Sequence, residues 1–235
     1  MYDGNYQGYI GEYMNKNQLF SLITAYAKNE WCNIPKDASV SENSLKLDAL
    51  YNECFHCTKC SLYKNATNLV FGTGNPDAKI VFAGEAPGEE EDKQGLPFVG
   101  RAGQLLTRAL EEAGSSREDV YICNVLKHRP PNNRNPNPDE IALCSSWLKA
   151  QLDIIKPRLI ITLGNFSTKL LLDTTTGITR LRGKLHPSSL GYDIFPILHP
   201  AAILRNMNQF PEFLDDIKTA VKISLSANKN SGDDI

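Results

Sequence analysis

Several hallmarks of common protein classes are missing from this chain of 235 residues. No apolar run approaches the roughly 18–20 residues that a transmembrane helix requires. The opening sequence, MYDGNYQGYIGEY, has no basic stretch followed by an apolar one, as a secretory signal would. Positive charge is not in excess either, because 25 Lys and Arg face 27 Asp and Glu. We therefore expect an intracellular, cytoplasmic protein with no membrane partner. We expect nucleic-acid binding, if any, to use a local basic patch.

The six cysteines are poor candidates for disulfides in an intracellular protein and better candidates for metal binding or burial. Cys57 and Cys60 form a Cys-x-x-Cys pair, Cys54 precedes them by three residues, and Cys144 lies on a predicted helix. Three thiolates with a fourth ligand suit a [4Fe–4S] cluster or a structural zinc site. The remaining two are expected to be ordinary buried residues: Cys32 and Cys123.

Short apolar runs alternate with helical patterns from residue 78 onward. Asn137-Pro138 with Glu140 predicts the start of a long helix, because it combines a capping box with proline at the first helical position. The alternation predicts an α/β fold with a mostly parallel sheet covered by helices on both faces. The predicted strands cover residues 79–85, 119–125, 158–164 and 193–198.

The chain is long enough for one sizeable core with an appendage. We expect residues 1–46 to form a helical appendage and linker, with an amphipathic helix at 17–29. The main domain is expected at 47–225, and residues 226–235 are expected to be a disordered acidic tail.

Chemically useful side chains follow the predicted strands. Glu85, Asn124 and His199 fall at strand ends, and ligands of parallel sheets bind at the carboxyl ends of the strands. The Asn124 carboxamide offers one acceptor and two donors, and the imidazole of His199 can stabilise developing charge. Phe98 follows a polar loop and can stack on a base. Each residue alone also has a purely structural explanation, but their combination suits an enzyme that acts on a base turned out of DNA.

Two further segments suggest contacts with water and DNA. Acidic residues crowd positions 85–92, where mutual repulsion can raise a pKa and a carboxylate can place a water, although most of them are expected to be solvated. After His199, Arg205 suits a phosphate, and Ile203 suits either an apolar wedge between bases or the core. Candidate basic patches lie at residues 127–129, Arg134 and 180–186.

Four segments, in order, resemble the family 4 (thermostable-type, iron–sulfur) uracil-DNA glycosylases. The resemblance covers the chain from about Cys57 to Leu225. It implies a three-layer sandwich with a central four-stranded, mostly parallel sheet flanked by helices, a [4Fe–4S] cluster and hydrolysis of uracil from DNA. The segments are CTKCSLY, FGTGNPDAKIVFAGEAPGEEEDKQGLPFVGRAGQLL, YICNVLKHRPPNNRNPNPDEIALC and HPAAILRN.

The resemblance also implies residue roles. Glu85 and Ala86 line the uracil and its attacking water, and Glu91 lies against the 5-position, where thymine carries a methyl group. Phe98 stacks on the base, Asn124 recognises its edge and His199 faces O2. Ala86 stands where the best-known uracil glycosylases place an aspartate, so water activation falls to Glu85 or to a backbone-held water.

The resemblance implies four cysteine ligands for the cluster, and this chain departs from that pattern. Cys57, Cys60 and Cys144 match, but the third position is His128. Either His128 completes the set, as histidine does in some iron–sulfur sites, or Cys54 does, or the cluster is labile or absent.

We expect a monomer. We also expect a monofunctional enzyme that leaves an abasic site, because its motifs contain no suitably placed lysine nucleophile. A replication or repair partner could dock on the N-terminal appendage. Two other functions remain open: a non-catalytic iron–sulfur module that binds DNA or senses lesions, and a glycosylase for another deaminated base such as hypoxanthine.

Overall fold

The computed structural model describes residues 41–226. The predicted helix at 17–29, Cys32, most of the predicted appendage and all but the first residue of the predicted tail lie outside these residues. The first described helix, α1 (Glu42–Phe55), spans the predicted boundary at residue 46. Within residues 41–226, no helix is both long enough and apolar enough to cross a membrane.

The sheet has six strands, so the expected number of four is wrong. The inner four strands are mutually parallel, as predicted, and the two outer strands pair antiparallel with their neighbours. Each outer strand has only two residues, which is too short to produce a recognisable sequence pattern. In chain order the strands are β1 (Thr73–Gly74), β2 (Ile80–Gly84), β3 (Tyr121–Asn124), β4 (Leu159–Leu163), β5 (His186–Pro187) and β6 (Asp193–Ile197), and their spatial order is β1-β3-β2-β4-β6-β5.

Helices cover both faces of the sheet. Alternate residues of each central strand enter opposite cores. Val81 faces the core that contains α1 and α4 (Pro138–Ile155), and Phe82 faces the core that contains α3 (Arg101–Glu112) and α8 (Phe210–Ser226). Both residues are fully buried. The remaining helices are α2 (Glu89–Gln94), α3 (Arg101–Glu112), α4 (Pro138–Ile155), α5 (Asn165–Leu172), α6 (Ile178–Leu181), α7 (Pro200–Arg205) and α8 (Phe210–Ser226).

The start of α4 confirms its sequence signal. Asn137 caps the helix, and the Glu140 carboxylate accepts a hydrogen bond from the Asn137 amide at 2.8 Å. The same carboxylate accepts two hydrogen bonds from the Arg134 guanidinium at 2.6 and 2.9 Å. The helix ends at Ile155, and Lys156 caps it in a left-handed conformation before Pro157. This anchoring fixes the helix that carries Cys144.

Candidate active site

A cavity of about 580 Å³ opens at the carboxyl edge of the parallel strands. Phe98, Asn124 and His199, which are far apart in the sequence, all contribute to its lining. The expected convergence of a ring, a carboxamide and an imidazole is therefore present in the structure. Other predicted site residues that line the same cavity are Glu85, Ala86, Glu91 and Arg205.

Asn124 ends β3, and its side chain is almost completely buried, with 1% of the residue exposed. Its carbonyl oxygen Oδ1 has no hydrogen-bond partner among residues 41–226. A buried acceptor without a partner costs about 1–3 kcal/mol. Gly84 makes this placement possible, because a Cβ there would lie 2.3 Å from Asn124 Oδ1 and 2.5 Å from the Phe98 ring. The site therefore has an unsatisfied acceptor in a fixed position.

Phe98 adopts a backbone conformation that is strained for a residue with a side chain, with φ of 53°. Arg117 holds this turn, because its guanidinium donates to the carbonyl oxygens of Phe98 at 3.0 Å and Pro97 at 2.8 Å. The adjacent amides of Val99 and Gly100 donate to Glu91 Oε1 at 2.9 and 2.8 Å. The ring is therefore fixed through its main chain, as a stacking platform requires.

The acidic segment is more ordered than the sequence predicts. It forms α2 rather than an open turn. Glu91 Oε2 accepts from the Gly88 amide at 3.1 Å, so three main-chain amides engage its carboxylate. Asp92 is buried and accepts from the amides of Thr67 and Asn68 at 2.9 and 3.2 Å. These two carboxylates hold loops together rather than being solvated.

Glu85 is the acidic residue whose surroundings suit proton transfer. It directly follows β2 and lines the cavity. Burial raises the pKa of its carboxyl group from 4.5 to about 7. A carboxylate with a pKa near neutrality both ionises and accepts a proton under ordinary conditions, which is the requirement for a general base.

The protonation of His199 is determined by its place at the start of α7. Its Nδ1 accepts a hydrogen bond from the Ala201 amide at 3.1 Å. Nδ1 therefore lacks a proton, and the neutral ring carries its proton on Nε2. Burial, with a smaller contribution from Arg205, lowers the pKa of His199 to about 4. The imidazole is thus a neutral donor, with its ring centre 5.8 Å from that of Phe98.

Two residues considered for DNA contacts are buried. Ile203 is fully buried in the core between the sheet and α8, so it does not form an exposed wedge. Lys127 is also fully buried and cannot belong to a surface basic patch. Arg205, in contrast, is exposed at the end of α7 and lines the cavity.

The four cysteines considered as metal ligands lie in or against one apolar core cluster: Cys54 and Cys144 belong to it, and Cys57 and Cys60 pack against it. Two of them accept hydrogen bonds to sulfur: Cys57 from Trp147 Nε1 and Cys144 from the Lys127 amide, both at 3.3 Å. Burial raises the pKa of Cys54 to about 12 and that of Cys144 to about 11, and the Lys127 ammonium opposes both shifts. Within residues 41–226, no three metal-binding side chains converge closely enough for a single ion.

His128, the predicted fourth ligand, follows Lys127 directly and is 7% exposed. Burial lowers the pKa of its imidazole, with the Asp92 carboxylate acting in the opposite direction. The ring is therefore neutral at pH 7, as a ligand must be.

Sequence reasoning missed two residues of this site. Phe166 lines the cavity from the start of α5, and Arg117 holds the Phe98 turn from outside any motif. The position of Phe166, three residues after the end of β4, was a usable signal because ligand sites lie beyond strand ends. Arg117 gave no such signal.

Fold and cavity together define an α/β protein with a candidate site at the carboxyl ends of its parallel strands. Residues 71–222 match the family model of the uracil DNA glycosylase superfamily, so the chain belongs to that superfamily. Within it, the chain belongs with the type-4 uracil-DNA glycosylases. It is 51% identical to the one from Thermotoga maritima (70% of this chain, 87% of that protein) and 46% identical to the one from Archaeoglobus fulgidus (73% and 90%). It is 44% identical to the one from Sulfurisphaera tokodaii (77% and 86%).

The geometry of His199 predicts its spectroscopic behaviour. In long-range ¹H–¹⁵N spectra, His199 should show the Nε2–H tautomer at pH 7 and become protonated only near pH 4, because charging the ring requires a desolvated cation. The signal of exposed His56 provides an internal reference. An Nδ1–H tautomer, or a midpoint near the ordinary value of about 6.5, would contradict this assignment.

Proposed function

We propose that this protein removes uracil from DNA by hydrolysing its N-glycosidic bond and leaves an abasic site. The observation that carries the proposal is the unpaired Asn124 Oδ1, which lies in a cavity that Phe98 and His199 also line. The similarity to type-4 uracil-DNA glycosylases supports the same activity. The base must leave the DNA stack to enter this cavity.

Uracil fits the hydrogen-bonding pattern of Asn124. Its N3–H donates to Oδ1, and its O4 accepts from the Asn124 amide nitrogen. Cytosine has an acceptor at N3 and a donor at N4, so both contacts would fail. Each buried mismatch costs about 1–3 kcal/mol, which is enough to exclude cytosine.

The same cavity supports the cleavage step. As the glycosidic bond breaks, negative charge develops on the uracil ring, and a hydrogen bond from His199 Nε2–H to O2 stabilises it. The Glu85 carboxylate orients or deprotonates the water that attacks the sugar, with Ala86 beside it. In the proposed reaction the glycosidic bond breaks largely before water attacks the sugar, so a weak base is sufficient to activate that water. The described residues that line the cavity include no lysine that could act as a nucleophile, which supports a monofunctional enzyme.

Neighbouring residues would set selectivity and DNA contact. Glu91 lines the cavity, and three main-chain amides hold its carboxylate in place. A carboxylate fixed in this way would exclude the methyl group that thymine carries at its 5-position. Exposed Arg205 suits a DNA phosphate beside the flipped nucleotide.

We further propose a [4Fe–4S] cluster held by Cys57, Cys60, Cys144 and His128. Cys57 and Cys144 accept N–H hydrogen bonds to sulfur in a mostly apolar setting, which suits thiolate ligands of an iron–sulfur cluster. The cluster would tie the segment before β1 to α4. Its contribution would be structural, because the proposed hydrolysis needs no redox chemistry.

Uracil release from labelled single- and double-stranded DNA tests the activity. Asn124→Asp should lower kcat/KM for uracil by roughly 100-fold, because an ionised carboxylate cannot donate to O4 and repels it. Asn52→Asp on the exposed face of α1 makes the same chemical change far from the cavity and should leave the rate unchanged.

Two results would contradict the proposed function. Absence of uracil release by the wild type with its cluster intact would favour a DNA-binding or lesion-sensing module. Release of hypoxanthine in preference to uracil would show a different base specificity. An unchanged rate for Asn124→Asp would remove Asn124 from base recognition.

The pH dependence of the reaction should follow Glu85. Since burial raises its pKa to about 7, kcat/KM should rise with pH through that value as the carboxylate ionises and then level off. His199 stays neutral throughout this range. Glu85→Gln should be slower and lose the rise near pH 7. A profile that keeps its midpoint in the variant would assign the ionisation to another group.

Iron content distinguishes the two candidate fourth ligands. After anaerobic purification, His128→Ala should lose most of its iron and of its absorbance near about 400 nm. Cys54→Ala should keep both. His128→Cys should retain iron and lower the reduction potential, because histidine ligation raises it. Iron loss only in Cys54→Ala would assign the fourth position to Cys54, and a colourless zinc protein would contradict the cluster.

A further inference from the structure

Lys127 is a fully buried lysine that no part of the proposed mechanism uses. Its Nζ donates to three oxygens: the Phe71 carbonyl at 3.0 Å, the Asn124 carbonyl at 2.8 Å and Gln151 Oε1 at 2.6 Å. All three acceptors are neutral. The hydrogen bonds are therefore satisfied while the positive charge is not balanced.

No carboxylate in residues 41–226 forms an ion pair with Lys127. A buried ion without a counter-charge costs several kcal/mol. The groups beside it that can become anionic are thiols. The main-chain amide of Lys127 donates to Cys144 Sγ at 3.3 Å. The side-chain ammonium of Lys127 favours the anionic form of Cys54 and of Cys144. Cysteine thiolates bound to a metal cluster would supply the missing negative charge.

The same ammonium acts on the main chain of the base-recognising residue. It holds the Asn124 carbonyl, while the next amide, that of Val125, donates to the Gly84 carbonyl at 3.0 Å. Gln151, on the helix that carries Cys144, donates to the Phe71 carbonyl and the Tyr121 hydroxyl at 3.0 and 3.1 Å. Lys127 thus joins the cysteine-bearing helix to the end of β3.

We propose that Lys127 is a positioning residue that supplies the counter-charge for the cysteine thiolates and fixes the main chain of Asn124, so that cluster retention and base recognition depend on one side chain. This inference rests on the proposed function, which assigns the thiolates to a cluster and Asn124 to the base.

Two variants separate the two roles. Lys127→Met removes both the charge and the bond to Asn124. Gln151→Glu keeps the ammonium and its bond to Asn124 but places a neutralising carboxylate beside it. Lys149→Met is the control, because it removes an exposed positive charge from the helix that carries Cys144 and Gln151.

In Lys127→Met, iron release to a chelator should be at least about tenfold faster and kcat for uracil at least about tenfold lower, since a small displacement of a positioned group costs that much. In Gln151→Glu, iron release should also accelerate, while kcat stays within about threefold of wild type. Both variants should have lower cluster reduction potentials, because losing nearby positive charge disfavours adding an electron. Lys149→Met should match the wild type, because its charge is exposed and screened.

Measurement of thermal midpoints for every variant separates these effects from unfolding. Unchanged potentials and iron release in Gln151→Glu would overturn the counter-charge role, even if Lys127→Met failed to fold. An unchanged kcat in a folded Lys127→Met would overturn the positioning role. A wild type that releases no uracil would instead overturn the proposed function, which these variants do not test.

Discussion

The site depends on two strand ends that carry no side chain. Parallel strands bring their carboxyl ends to one edge, but ordinary side chains at those positions would fill the space between them. At Gly84 a Cβ would overlap both Asn124 and Phe98. At Gly164, where φ is +87°, a Cβ would lie 3.0 Å from that of His199. Because both positions are glycine, a ring, a carboxamide and an imidazole can surround one cavity. The proposed base recognition would therefore depend on close backbone approach as much as on the polar residues themselves.

The polar groups around the cavity are held by main-chain contacts. The Ala201 amide fixes the tautomer of His199, and three amides fix the Glu91 carboxylate. Arg117 holds the strained turn of Phe98 through two carbonyl oxygens. Groups that are already oriented need no reorganisation when charge develops in the transition state, and that is the main source of electrostatic catalysis. The strain at Phe98 is then offset by the contacts that keep its ring in place.

Sequence patterns predicted the parallel core because each central strand is a short, mostly apolar run with a glycine or a polar residue at its end or within two residues after it. The capping box at Asn137 likewise predicted the start of α4 correctly. The two-residue outer strands were missed because periodicity needs more residues than they contain. Sequence patterns left the burial of Ile203 undecided and misplaced Lys127 for a related reason. A six-residue helix and a loop position three residues after a strand do not show which side faces the core, and lysine is rarely buried without a partner.

Burial shifts the pKa values of Glu85 and His199, two titrating groups of the cavity, in opposite directions. It raises the pKa of Glu85 to about 7 and lowers that of His199 to about 4, since in each case desolvation penalises the charged form. At neutral pH the site therefore holds a partly ionised carboxylate and a neutral imidazole. In the proposed hydrolysis a neutral imidazole would still donate a hydrogen bond to uracil O2. It would do so without placing a buried cation beside a sugar that becomes positively charged as the base departs. One physical effect thus sets both protonation states that the proposed hydrolysis requires.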